Sequence, residues 1–250
     1  MKVLVFGASG GTGRQLVQQA LERGHAVTAF ARDPAKIRLT HDDLRVVRGD
    51  VLKTDTVEAA VVGQDAVLSA LGTRLPIGIV IAVVLACLVF VRTVALSQLA
   101  SLFVELGVPL LTILLVSRRT TIVSEGTRNI VRAMEHAGVR RFVCGSALGV
   151  GDSKGKMGVV VKLLFIPLFL RNIFADKEAQ EQIIERSSLD WVIVRPATLT
   201  NGPPRNAYRV GSDVGSRFLP PRISRSDVAG FMLDQITGAT YVRKSPGLAG

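Results

Sequence analysis

Val3-Leu4-Val5-Phe6-Gly7-Ala8-Ser9-Gly10-Gly11-Thr12-Gly13 decides the fold. Residues 3–6 are an uninterrupted apolar run of the length and type of a strand buried on both faces. The glycines at positions 7, 10 and 13 follow at once, and then Leu16, Val17, Ala20 and Leu21 recur on one face of a helix. Gly24 closes that helix, and residues 26–30 supply a second apolar strand. In a strand–turn–helix of this kind, glycines permit the tight turn, let backbone N–H groups approach a diphosphate, and let the helix pack closely on its strand. The helix N-terminus then faces the phosphate charge. Gly7, Ser9, Gly10, Gly11, Thr12 and Gly13 are therefore candidate cofactor contacts.

The end of the second strand bears on which nucleotide fits. NAD sites usually carry a carboxylate there for the ribose 2′-hydroxyl, whereas this chain reads Phe30-Ala31-Arg32-Asp33-Pro34-Ala35-Lys36. Arg32 suits a 2′-phosphate through charge-assisted hydrogen bonds, with Lys36 or Arg38 as a second cation, and this favours NADP(H). Asp33 comes one place too late and is expected to cap the turn led by Pro34. The alternation continues with a third strand at 44–47, ending in Gly49-Asp50-Val51, where Asp50 is placed for the adenine edge. A helix at 54–62 and a fourth strand at 66–71 follow. Leu71-Gly72-Thr73-Arg74 then lies at a carboxyl end, where ligands bind in open α/β sheets.

The bulk numbers agree. The 250 residues suffice for one α/β domain with a substantial core, and 48% hydrophobic with only 5% aromatic residues suits a parallel sheet covered on both faces. The net charge of +11 is scattered, with no Lys/Arg tract longer than two. With so few aromatics for base stacking, nucleic acid is not an expected partner. An anionic substrate, a 2′-phosphate or a membrane surface accounts for the charge more economically. Cys87 and Cys144 form no CxxC pair, and His25, His41 and His136 share no motif. No metal site or disulfide framework is indicated, and a reducing cytoplasm fits.

The residues resemble an atypical short-chain dehydrogenase/reductase of the NAD(P)H-binding, NmrA-like branch, most of all the flavin reductase/biliverdin-IXβ reductase family. The likeness is carried by residues 7–13, 27–36, 49–52, 63–74, 120–131 and 137–139, by Leu189-Asp190-Trp191-Val192-Ile193-Val194-Arg195-Pro196, and by Ile223-Ser224-Arg225-Ser226-Asp227-Val228. It implies a doubly wound Rossmann-type α/β domain with a parallel sheet. Cofactor contacts carry over to Asp50, Val51, Leu71, Gly72, Thr73, Arg74, Cys144, Ser146 and Pro196. Ser146, in Cys144-Gly145-Ser146-Ala147 after the fifth strand, stands where the family places a serine near the nicotinamide; a turn-capping role is the alternative. Lys177 matches the lysine of the Tyr-x-x-x-Lys pair of many short-chain reductases, or is merely an exposed helix lysine beside Asp176. Four residues before it stands Ile173, so the tyrosine acid is absent. Flavin and tetrapyrrole reduction needs no such acid, since a proton can come from solvent. The expected function is thus NADPH-dependent reduction of a flavin, tetrapyrrole or quinone-like acceptor, with Ser146 and Lys177 as catalytic candidates. Two rivals are a redox sensor that binds the cofactor without turnover and a membrane-associated reductase or isomerase of a lipid. Asp227 reads as part of the cap of the last helix.

One departure from the family is large. Residues 75–119 intervene where relatives have a short loop, and 75–91 carry no charge while Glu105 is the only charge in 94–117. The first run is close to the lower limit of about 17 residues for a membrane span. Three readings stay open: a membrane hairpin, a helical pair packed on the domain or on a second subunit, and a segment that is not a selected part of the fold. The greasy stretch at 157–174 is a candidate substrate lid or a core-covering helix pair. The oligomeric state is left open.

Overall fold

Val3 and Val5 point to one side of strand β1 (Lys2–Phe6) and Leu4 and Phe6 to the other, and all four are fully buried. The alternation of side chains across a strand therefore builds two core halves, one on each face of the sheet. The computed structural model describes residues 1–72, 121–153, 171–212, 214–215 and 221–250. The segment 75–119, the residues Thr73 and Arg74, and most of the stretch expected at 157–174 lie outside the described residues.

The main sheet has the order β3-β2-β1-β4-β5-β6-β10-β8. Its strands are β2 (Ala26–Ala31), β3 (Leu44–Arg48), β4 (Ala66–Ser69), β5 (Arg141–Gly145), β6 (Asp190–Pro196), β8 (Arg209–Gly211) and β10 (Gly247–Ala249), besides β1. All pairs are parallel except β10 with β8. A small parallel pair, β7 (Thr198–Thr200) and β9 (Arg222–Ser224), stands apart. Parallel neighbours need crossover helices, and these cover both faces. Helices α1 (Gly11–Glu22) and α5 (Arg225–Asp234) lie on the Val3/Val5 side with Val143, Val192 and Val194. Helices α2 (Thr54–Val61), α3 (Ile122–Ala137) and α4 (Arg171–Glu185) lie on the Leu4/Phe6 side with Phe142 and Ile193. The helical period read at Leu16, Val17, Ala20 and Leu21 is the buried face of α1. Fully burying side chains of this size contributes roughly 1.5–3 kcal/mol each.

Two expectations change. Strand β4 ends at Ser69 and not at Leu71: Ala70 N–H still bonds Phe6 O at 3.0 Å, but the Leu71 carbonyl is taken by Lys177. Strands β7 to β10 went unforeseen, because three residues are too few to show a period. The cap of α5 is Ser224, whose Oγ accepts from Asp227 N–H at 2.9 Å and donates to Asp227 Oδ2 at 2.7 Å. Asp227 also accepts from the N–H groups of Arg205 and Asn206, so its role is structural. The strand order reverses between β1 and its neighbours β2 and β4, and a crevice opens at such a point beyond the carboxyl ends.

Candidate functional site

The loop after β1 is built from close approaches. Gly7 has φ +74°, and a Cβ there would stand 2.7 Å from Ala70 O, so only glycine lets the loop lie against the end of β4. A Cβ at Gly13 would stand 2.1 Å from Gly7 O, so α1 presses directly on the loop. Gly10 N–H closes the turn on Gly7 O at 2.9 Å and is the N-cap of α1, with no side-chain cap and no acidic residue in the first turn. The first N–H groups of α1, at Gly11, Thr12 and Gly13, are left facing the crevice with the positive end of the helix dipole. This glycine-lined cradle fits a dinucleotide diphosphate. The Ser9 carbonyl accepts from Arg14 Nε at 3.2 Å.

Beside the loop a cleft of about 450 Å³ is lined by Ala8, Arg14, Lys36 and Arg38 among others. Its cations suit a 2′-phosphate. Arg32 is exposed and is not among the lining residues. Asp33 does cap the turn, Oδ1 accepting from Ala35 N–H at 3.2 Å, and its other oxygen meets Lys36 Nζ at 3.2 Å, so Lys36 already has a counter-charge. The sequence reading passed over Arg14, although its place directly behind Gly13 was a usable signal. At the end of β3, Asp50 Oδ1 accepts from Leu52 N–H, and the Val51 carbonyl accepts from Asn129 Nδ2 at 2.9 Å. Val51 is buried against Gly126. Asp50 is thus held in a turn at the rim of the crevice.

Across the crevice, the carboxyl ends of β4, β5 and β6 meet α4. Lys177 is buried rather than exposed, and its Nζ donates to Gly145 O at 3.1 Å, Gln180 Oε1 at 3.3 Å and Leu71 O at 3.4 Å. Burial pulls its pKa down, against the opposing pull of Cys144, Glu181 and Asp176. Ser146 N–H donates to Val194 O at 2.7 Å, while among the described residues its buried Oγ has no hydrogen-bond partner. Cys144 is fully buried, and burial pushes its thiol up to about 12, so it packs as a neutral thiol beneath the crevice. Pro196 O accepts from Leu148 N–H at 2.9 Å, and Gly72 is exposed at the crevice edge. Ile173 stands partly buried in the first turn of α4, at the place of the missing tyrosine. The structure therefore brings together Leu71, Ser146 and Lys177 opposite the glycine loop.

A family profile described as NAD(P)H-binding matches residues 7–239. The chain belongs to this NAD(P)H-binding family. An uncharacterised chloroplastic protein of Arabidopsis thaliana is 32% identical over 210 residues, 81% of this chain and 61% of that protein. Photosystem II assembly factor Ycf39 of Synechocystis is 26% identical over 203 residues, 81% of this chain and 46% of that protein. The chain thus spans about half the length of these curated relatives. Among solved structures, ChuY, an anaerobilin reductase from Escherichia coli O157:H7, superposes with a TM-score of 0.71 at 18% identity, covering 100% of this chain and 97% of its own. That likeness shows a shared Rossmann-like frame. NAD(P)H is therefore the cofactor. Among the described residues no helix is long and apolar enough to cross a membrane.

Proposed function

We propose that this family member is an NADPH-dependent reductase of a planar acceptor, a flavin, tetrapyrrole or quinone-like molecule. The observation that carries the reading is the far wall of the crevice. Lys177 is fixed by two backbone carbonyls and the buried Ser146 hydroxyl has no hydrogen-bond partner among the described residues, yet Ile173 holds the place of a tyrosine acid. Such a wall can bind and align two ring systems without a tyrosine to protonate a carbonyl. When bound, NADPH would supply a hydride, that is, one proton with two electrons; with a second proton from solvent the acceptor would be reduced and NADP⁺ left. ChuY, which shares this fold, is an anaerobilin reductase, and this supports a reductase reading. The cleft with Arg14 and Arg38 supports NADPH over NADH.

The test has two parts. NADPH should bind at least about tenfold more tightly than NADH, or about 1.4 kcal/mol, and Arg14→Ala or Arg38→Ala should erode that ratio. Steady NADPH oxidation should be seen with flavin mononucleotide, a linear tetrapyrrole or menadione, and not with simple aldehydes and ketones. Ser146→Ala and Lys177→Ala should retain measurable turnover; a fall in kcat of about 10³ or more in either would assign it a transition-state role and replace this mechanism. Tight NADPH binding with no turnover on any acceptor would favour the redox sensor instead.

A further inference from the structure

Arg225 stands more than two hundred residues from the glycine loop and yet lies on it. An ideal Cβ at Gly11 would be 2.7 Å from both Cδ and Nε of Arg225. The arginine side chain therefore crosses the first turn of α1, and a glycine at position 11 leaves it room. Its head is anchored by a neutral group, Nη1 donating to Asn201 Oδ1 at 2.6 Å. Among the described residues no carboxylate forms an ion pair with it. The nearby acid, Asp227, instead accepts from Ser224 Oγ and from the N–H groups of Arg205 and Asn206. The first turn of α1 likewise contains no acidic residue. A guanidinium packed on the positive end of a helix is electrostatically unfavourable until an anion joins them.

We propose that Arg225 is a ligand of the cofactor's diphosphate, reaching it across the first turn of α1 from the far end of the chain. The inference rests on the cofactor reading above and extends it. Backbone N–H groups of the loop supply neutral donors, and Arg225 adds a full positive charge to a group that carries two negative ones. Two consequences follow from the geometry. The diphosphate is common to NADPH and NADH, so Arg225 strengthens both alike, whereas cations at the 2′-phosphate discriminate between them. A side chain at position 11 would displace Arg225, so the two positions are energetically coupled.

Titration calorimetry on the full chain tests this with NADPH and NADH separately. Arg225→Ala should weaken both by about tenfold or more with their ratio unchanged, as expected for a hydrogen bond to a charged group. Arg225→Lys should recover part of the loss. Gly11→Ala should weaken both nucleotides in the parent but have little further effect alongside Arg225→Ala. Inorganic pyrophosphate should compete with NADPH in the parent and do so less well in Arg225→Ala. Should the alanine variant not fold, Arg225→Gln, which keeps the aliphatic stem and a neutral donor at the ε position without the charge, carries the same expectation. Unchanged constants for both nucleotides overturn the proposal. A loss confined to NADPH moves Arg225 to the 2′-phosphate, and a raised acceptor KM with unchanged cofactor binding moves it to the acceptor; either also overturns it. A parent that binds neither nucleotide overturns the cofactor reading first and this role with it.

Discussion

Arg195 carries a charge into the interior. Its side chain is 5% exposed and grips Glu181, itself 3% exposed, through Nε–Oε1 at 3.0 Å and Nη2–Oε2 at 2.8 Å, with Asp152 as a third partner. Burial alone would lower the guanidinium's pKa, but the bonds to Glu181 and Asp152 outweigh it and hold the group charged. The pair ties β6 to α4, the helix that presents Lys177 to the crevice. Truncating one partner leaves the other charge buried and unpaired, so Arg195→Leu should cost about 3–5 kcal/mol in urea denaturation. The double change Arg195→Leu with Glu181→Leu should lie much closer to the parent, since a buried ion pair is often replaceable by packed apolar side chains. A double variant as unstable as the single would show that the destabilisation comes from lost packing and not from the stranded charge.

The first βαβ unit separates two duties of its glycines. A Cβ at Gly13 would overlap the Gly7 carbonyl, a backbone atom that cannot swing aside, whereas a Cβ at Gly10 would stand 3.2 Å from the same oxygen. Gly13→Ala should therefore loosen α1 from β1 and reduce stability by roughly 1–3 kcal/mol even without cofactor, as overpacking does. Gly10→Val should leave the circular dichroism spectrum close to the parent's while NADPH binding is lost, because its branches occupy the space the diphosphate needs. Denaturation and calorimetry on the two variants read the difference. Equal stability of Gly13→Ala and the parent would mean that α1 can withdraw from the loop at little cost.

At the scale of the whole molecule, one pair of adjacent residues on α4 holds both flanks of residues 75–119. Lys177 donates to Leu71 O, and the Asp176 carboxylate accepts from Val123 N–H at 3.1 Å and Ser124 N–H at 2.9 Å. The chain thus leaves and re-enters the fold at neighbouring points. Replacing 75–119 with a short Gly/Ser linker should preserve the spectrum and keep the NADPH dissociation constant within about threefold, since closure entropy varies slowly with loop length. Aggregation or loss of binding in that variant would show the segment to be a packed part of the fold. Sedimentation of parent and variant with membranes tests the hairpin reading in the same preparation.

The sequence by itself determined the β1–α1–β2 unit, the order of alternating strands and helices as far as β6, the glycine loop and membership of an NAD(P)H-binding family. Each is written in short-range terms, a period of two or 3.6 and glycines at fixed spacing, which a few neighbouring residues specify. It also named Lys177 and Ser146, but it left open whether Lys177 was an exposed helix lysine. Burial follows from where α4 docks over β4 and β5, and no local pattern records that. Arg14 joining Lys36 and Arg38, Arg195 meeting Glu181 and Asp152, and Arg225 lying on Gly11 were decided only by the tertiary structure. These contacts join residues between about 14 and more than two hundred positions apart, and they exist because the reversal of strand order folds the two ends of the chain onto one crevice.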